Sequence, residues 1–420
     1  MEIEEPTVEQ LADLRSRLKH FARGFDDCIK SAPTRRHLRT YLDGQQSSLQ
    51  RKSVEPMALA AGVAPRTLQE FLSLHRWDHE KMRRRVQERV VERHADPTAI
   101  ALIDETSFQK KGDQTAGVQR QYCGATGKTD NCVVTVHVGY ATATFQTLLD
   151  ADLYLPQEAW NADRERCRKA GIPDEVVYRP KWQIALELLD RVHSNGVRFK
   201  YLTADELYGG THAFRKGVAA RGIVYVVEVP KSVQGWTRRP EVVLPGEPGL
   251  SPGRPRLRPA LADGAARSRR VEQIGRSGGP AWQAYHIKET GKGSVVWEAR
   301  AIRFSPNDEG VPGDEGWLMV ARNVIDGELK YFLSNASADT PVETMLHVAF
   351  SRATIERLFE TAKGEIGFDH FEVRHYLPLV RHLILSLLSL LFLEEQVERL
   401  RGEKPVVESL SGENRCRGAA

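Results

Sequence analysis

The chain has 420 residues, with 60 Lys plus Arg against 56 Asp plus Glu for a formal charge of +4, and with 41% hydrophobic and 28% charged residues. That length predicts roughly two to three domains around a sizeable core, and so ordinary a composition excludes a globally disordered chain. The five cysteines, Cys28, Cys123, Cys132, Cys167 and Cys416, are widely spread and never stand as Cys-x-x-Cys. This excludes a disulfide scaffold and a zinc finger and points to a reducing cytosol.

The N-terminus, Met1-Glu-Ile-Glu-Glu-Pro6, is acidic where a secretory signal carries a basic flank, so a cytoplasmic protein is expected. No membrane attachment is expected either. The longest apolar run, Leu383 to Leu393, falls short of the roughly 20 residues a bilayer span needs and reads as a buried core helix.

Residues 1–96 alternate charged and apolar positions at helical spacing and predict several short helices. Within them, 56–72 places Gly62 at a turn between two apolar helical stretches, the layout of a helix-turn-helix or of an ordinary helical hairpin. Lys81, Arg83, Arg84, Arg85, Arg89 and Arg93 then fall on one predicted helix. They make either a basic face for phosphates or a solvated charged face.

From Thr98 the pattern turns to strands. Ala99 to Ile103 leads to Asp104, and Val118–Tyr122, Cys132–Tyr140 and Phe145–Asp150 form a meander. Lys181–His193 predicts a helix, Val197–Thr203 a strand ending at Asp205, His212–Arg221 a helix and Ile223–Val229 a strand. Strand, meander, helix, strand, helix, strand is the order of a ribonuclease H-like α/β fold. Between Pro240 and Pro280, 14 of 41 residues are Gly or Pro, which predicts long loops. Lys231 to Arg276 holds ten Lys or Arg against four Asp or Glu, so these loops are either a polyanion-binding segment or merely solvated. Strands resume at Ala281–Ile287, Ser294–Phe304, Trp317–Val324 and Tyr331–Leu333, and helices at Thr340–Gly364 and Tyr376–Leu400.

The division expected is therefore a helical domain over 1–96, DNA-binding on the helix-turn-helix reading, a core over 97–230 and 331–400, a β-rich basic insertion over 231–330 and a disordered tail over 401–420. Two acids, Asp104 and Asp205, stand at predicted strand ends, and Glu356 stands on the late helix. Carboxylates at neighbouring strand ends converge, and one from a crossing helix can complete a cage of hard oxygen ligands. Isolated acids at strand ends also serve simply as caps or surface charges.

The chain resembles the DDE transposases of bacterial insertion sequences, most closely the insertion-sequence 701 family. The segments that carry the resemblance are Arg51-Lys-Ser-Val-Glu-Pro-Met57, Ile103-Asp-Glu-Thr-Ser-Phe-Gln-Lys-Lys-Gly112, Gln119-Arg-Gln-Tyr-Cys-Gly124, Asn131-Cys-Val-Val134, Thr203-Ala-Asp-Glu-Leu-Tyr-Gly209 and Val226-Val-Glu-Val-Pro230. Ile355-Glu356 with Lys363 to Arg374 completes them. The related group carries a tyrosine-x2-arginine-x3-glutamate-x6-lysine signature. Arg352, Glu356 and Lys363 match it, while Ala349 stands at the tyrosine position and Phe350 beside it cannot donate a hydrogen bond.

The resemblance implies that Asp104, Asp205 and Glu356 are catalytic and hold two Mg²⁺ ions, with Mn²⁺ as a substitute. It further implies that Arg352 and Lys363 hold DNA phosphates. The substrate would be double-stranded DNA, both terminal inverted repeats and target, bound by a dimer in a synaptic complex near the nucleoid. Lys81, Arg84 and Arg85 would add grip. A tryptophan of the insertion would stack on a flipped base, and Trp236, beside Arg238 and Arg239, has the most nucleic-acid-like neighbours. The competing readings are a catalytically inactive DNA-binding descendant and a ribonuclease H-like nuclease. Ser107 does not stand in a Gly-x-Ser-x-Gly elbow that could pair with His193, His212 or His370, and no phosphate-loop lysine motif occurs, so neither a hydrolase triad nor a nucleotide cofactor is expected.

Overall fold

The computed structural model describes residues 8–245, 257–277, 279–290 and 293–403. The first elements are helices: α1 (Val8–Arg23), α2 (Ala32–Gln45), α3 (Val54–Ala60), α4 (Pro65–Ser73) and α5 (His79–His94). Gly62, at φ +68°, makes the left-handed turn between α3 and α4, and Pro65 opens α4, where its missing N–H costs nothing. Asp78 starts α5 by accepting a 2.8 Å bond from the Lys81 amide.

A strand and a meander follow: β1 (Ile100–Gln109), β2 (Gln119–Cys123), β3 (Lys128–Ala141) and β4 (Gln146–Leu153). Next come α6 (Arg164–Lys169), α7 (Lys181–Ser194), β5 (Tyr201–Ala204), α8 (Glu206–Gly209), α9 (His212–Ala220) and β6 (Val224–Glu228). The inserted stretch holds β7 (Gln234–Trp236), β8 (Val242–Val243), β9 (Ala260–Leu261), β10 (Arg269–Arg270), α10 (Val271–Arg276), β11 (Gln283–Thr290), β12 (Gly293–Asp308), β13 (Val311–Pro312) and β14 (Gly316–Asn323). The chain closes with β15 (Leu329–Ser334), α11 (Val342–Phe350), α12 (Ala353–Thr361), a π-helical turn (Ala362–Ile366) and α13 (Tyr376–Glu403). Of the tail expected from Arg401, the first three residues continue α13, and the rest lies outside the described residues.

One mixed sheet of 13 strands runs β10-β7-β12-β14-β15-β6-β5-β1-β3-β2, with β11 and β13 beside β12 and β4 beside β3. The change of direction sits at β1, which is antiparallel to β3 and parallel to β5. β6 continues the parallel part, and β15 pairs antiparallel on its outer edge.

Helix α13 has the length and apolar composition of a membrane span, but 83% of that stretch is buried inside the protein. A helix apolar all round is one enclosed on every side. Leu385, Leu388 and Leu391 join a core with α2, α4 and α5, while Leu383, Leu387 and Leu390 join a second core with the sheet and α11–α12. Polar ties reinforce this. Arg381 lies over Trp77 at 4.6 Å and donates to the Leu72 carbonyl, and Tyr41 meets His382 at 2.8 Å.

Two expectations are corrected. The single helix over Thr340–Gly364 is two helices broken at Ser351–Arg352, with the π turn after them. Asp104 does not end the first strand but lies within it, because β3 pairs with β1 all the way to Gln109↔Cys132.

Candidate active site

The parallel register between β1 and β5 ends at the pair Ile103↔Ala204. The next residue on each strand is an aspartate, so Asp104 and Asp205 emerge side by side where the two backbones part. They part because Asp205 turns its chain: its side chain caps α8, accepting from the amides of Leu207 (3.0 Å) and Tyr208 (3.3 Å). Asp104 Oδ1 accepts from the Glu105 amide at 2.8 Å.

Helix α12 crosses beside them. The Thr203 hydroxyl on β5 donates to the Ala349 carbonyl (3.4 Å), which pins the α11–α12 break to the sheet. Ala349, at the position where related chains carry tyrosine, is buried, and Phe350 packs 4.9 Å from the Trp297 ring and 5.8 Å from Phe332. Arg352 begins α12 with its guanidinium 2.7 Å from Glu356, 3.7 Å from Asp104 and 3.8 Å from Glu228. Lys363 reaches back from the π turn to the Ser107 carbonyl at 3.4 Å. All five residues line one cleft of about 360 Å³.

This cleft is electrostatically unbalanced. Burial, followed by the charges of Asp205 and Glu105, pushes the Asp104 carboxyl up to about 8. Burial, followed by Glu105, pushes Asp205 up to about 6. Burial depresses Lys363, with Asp369 pulling it back. Burial also works against the Arg352 charge, but Glu356, Asp104 and Glu228 outweigh it and raise the group. One guanidinium thus answers several acids.

Glu105 had drawn no notice in the sequence. Its carboxylate accepts from the Tyr208 hydroxyl (2.7 Å) and pairs with Lys181 at the start of α7 (2.6 Å). The signal was in plain view, since Glu105 adjoins Asp104 and Tyr208 follows Asp205 by one helical turn within the same two segments. Buried His137, directly opposite Asp104 on β3, is held neutral by burial, which lowers it to about 3, and bonds Thr135 at 2.7 Å.

Other expected contacts are not gathered here. The α5 cations do not share one free face: Arg83 is buried against Glu80 and Asp150, and Arg89 pairs with Glu395 beneath the first helix. Lys81 pairs with Asp27 at 2.9 Å, Arg85 with Glu88 at 2.9 Å, and Arg84 more loosely with Glu88 at 3.7 Å. Trp236 cannot offer a face to a base, because it is only 5% exposed and its indole N–H donates to the Ala266 carbonyl. Arg239 donates to the carbonyls of Pro312 and Gly313, and both it and Arg238 are exposed.

Among the described residues, no three of His, Cys, Asp and Glu stand close enough together to hold a metal ion as they are arranged. The donors nevertheless fit a hard divalent cation in kind. Asp104 and Asp205 are desolvated carboxylates raised by neighbouring negative charge, and the third acid, Glu356, is engaged by Arg352.

The pattern of the DDE superfamily endonucleases matches residues 24–294, which includes Asp104 and Asp205 and stops before Glu356. A protein of Microchaete diplosiphon named "Probable transposase for insertion sequence element IS701" is 35% identical over 166 residues, 39% of this chain and 40% of that protein. The chain therefore matches less than half the length of that curated relative. Among solved structures, the NurA nuclease from Sulfolobus solfataricus aligns with 69% of this chain and 92% of its own, at 11% identity and a TM-score of 0.25. With the matched segment covering more than half of its residues, the chain belongs to the DDE superfamily endonucleases.

Proposed function

We propose that the protein is a transposase that binds the terminal inverted repeats of its own insertion sequence, hydrolyses the phosphodiester at each end and joins the freed 3′ hydroxyl to target DNA. The observation that carries this reading is the emergence of Asp104 and Asp205 side by side beyond the last parallel pair, with Arg352, Glu356 and Lys363 facing them from one crossing segment. The strand sequence β4-β3-β1-β5-β6, antiparallel on one side of β1 and parallel on the other, supports a ribonuclease H-like core, with β7–β14 as its insertion.

Asp104, Asp205 and Glu356 would hold two divalent ions, Mg²⁺ by preference. When bound, such ions lower the pKa of water and neutralise charge on a phosphate under attack. The chain's own part is to place the DNA. Arg352 can fork onto phosphate oxygens once released from Glu356, and Lys363 supplies a compact positive charge on the other side of the cleft. Lys181 and Tyr208 hold the Glu105 carboxylate in place at the cleft wall. In the first step water oxygen bonds to phosphorus and the bond to O3′ breaks, leaving a 5′ phosphate on the flanking strand. In the second step the freed O3′ bonds to a target phosphorus and a target O3′ leaves, so one site serves both. Helices α1–α5 would grip the repeat, and two copies would bring two ends together.

The test is cleavage of a labelled duplex carrying the DNA that flanks this gene, with Mg²⁺, by wild type and by Glu356→Gln. Nicking at the repeat boundary by wild type alone supports the proposal. Binding without nicking by either protein would instead identify an inactive DNA-binding descendant.

A further inference from the structure

The loop between α2 and α3 touches the far end of the catalytic segment. Lys52 in that loop is only 6% exposed. Its ammonium donates to the Gln45 carbonyl at the end of α2 (2.9 Å) and to the Glu365 carbonyl in the π turn after α12. The Lys52 amide donates to His370 Nδ1 at 2.9 Å. The approach leaves no room for a side chain at Gly367. That residue has φ +70°, and a Cβ on it would lie 2.6 Å from Lys52 Cβ and 2.8 Å from His370 Nδ1.

The same segment is held from other sides. Arg51 pairs with Glu372, and Lys110, from the loop after β1, donates to the Phe371 carbonyl (2.8 Å) with its ammonium 3.4 Å from the centre of the Phe371 ring.

Burying an ammonium costs free energy unless its hydrogen bonds offset the loss of water, so mere filling of this gap would be better served by an apolar side chain. What the ammonium does here is join two carbonyl ends that helical hydrogen bonding leaves open. The joined end matters to the cleft. Lys363 stands two residues before Glu365, and Glu356 lies on the helix that runs into this turn. A π turn is a rare departure from regular helix that occurs mostly as a single turn, frequently at functional sites.

We infer that Lys52 is a positioning residue for the acidic cleft: by tying the π turn to the end of α2, it sets where Lys363 and Glu356 stand against Asp104 and Asp205. The role rests on the proposed reading of that cleft as the catalytic centre. The tie also lies immediately before α3, so the two-helix turn at 54–73 and the catalytic helix share one joint.

The test uses the full chain with Lys52→Met, which removes the ammonium and keeps the length, and with Gly367→Ala, which forces the same contact apart with the Lys52 ammonium still present. Hydrogen exchange is read at the amides of Phe368 and His370, which bond the carbonyls of Ala362 and Gly367. Both variants are expected to exchange there at least about tenfold faster while α13 stays protected. Single-turnover cleavage of the flanking-DNA duplex, at saturating duplex and Mg²⁺, should fall about 100-fold with Kd for the duplex unchanged. If Lys52→Met does not fold, Gly367→Ala carries the same readouts. Unchanged exchange at Phe368 and His370 would overturn the tie itself. Faster exchange with undiminished cleavage would overturn the positioning role. A wild type that leaves the duplex uncut removes the catalytic reading and the positioning role with it, while the exchange arm still decides whether Lys52 holds the turn.

Discussion

Helix α5 and the cleft at the β1–β5 junction are both crowded with charge, and they treat it in opposite ways. On α5 nearly every cation meets a carboxylate. Arg83 and Arg191 enclose buried Asp150 at 3.3 and 2.6 Å, Arg89 meets Glu395 at 2.6 Å, and Lys81 meets Asp27 at 2.9 Å. In the cleft, Asp205 and Glu105 both press on Asp104, Glu105 is matched by Lys181, and Arg352 alone bridges to Asp104, Glu228 and Glu356. Matched charges hold elements together, whereas a surplus of like charge kept out of water is a cost that binding something of opposite sign can recover. The contrast makes Arg83 and Arg89 part of a structural seam, while Arg84 on the same helix stays half exposed.

The largest expected effect comes from emptying the surplus. Asp104→Asn, Asp205→Asn or Glu356→Gln should reduce cleavage by about 10³-fold or more while duplex binding, measured by anisotropy, is kept or strengthened. Equal loss of binding would count against these residues as a catalytic set.

The same Asp→Asn change on the matched side should act on stability instead. Asp150→Asn leaves Arg83 and Arg191 facing a neutral group inside the protein, and urea unfolding should show a loss of about 3–5 kcal/mol. Asp104→Asn relieves repulsion, so the metal-free variant should melt no lower than wild type. Parallel losses from both substitutions would erase the distinction between the two regions.

Acidity sharpens it further. The Asp104 carboxyl sits at about 8 and Asp205 at about 6, both above the ordinary carboxylate value of 3.8, because burial and neighbouring acids favour the neutral form. A divalent ion must displace those protons. Its affinity should therefore rise with pH up to about 8, by about tenfold per unit for each proton released. The sign for stability is opposite. The folded chain keeps a proton that the unfolded chain has released, so this group lowers the stability of the metal-free protein progressively as pH climbs from about 4 to about 8. An affinity for Mn²⁺ independent of pH over that range would contradict the assignment.

The smallest effect is expected at Arg84, half exposed and only loosely paired with Glu88. Arg84→Ala should change stability by less than about 0.5 kcal/mol. If α5 does touch DNA, the slope of log Kd against log salt should drop by about 1, and an unchanged slope would remove Arg84 from the interface.

How far the sequence was legible follows from the range of the forces involved. Strands β1 and β3–β6 and helices α7 and α9 were legible, because alternation and helical periodicity are local. The meeting of Asp104 with Asp205 was also within reach, since each closes an apolar run that a parallel sheet would align. That β1 continues past Asp104 was not, because it depends on pairing with β3 up to Cys132. The fate of the α5 cations was equally hidden. Asp150 and Glu395 stand far away in the chain, and nothing near Arg83 or Arg89 announces them. Trp236 misled for the same reason, as its basic neighbours are local while the carbonyl it bonds, at Ala266, is not. The break at Ser351–Arg352 falls in a sequence with ordinary helix formers, and it is the Thr203 hydroxyl on β5 that fastens the Ala349 carbonyl there.

The central claim is that the surplus of acid at the β1–β5 junction exists to bind a divalent cation. Calorimetric titration of Mn²⁺ into wild type and Asp104→Asn at pH 7, repeated in two buffers of different ionisation enthalpy, tests it most directly. The account predicts saturable binding by wild type with release of protons, and loss of that binding in Asp104→Asn. Equal binding by both proteins, with no proton released by either, would contradict it.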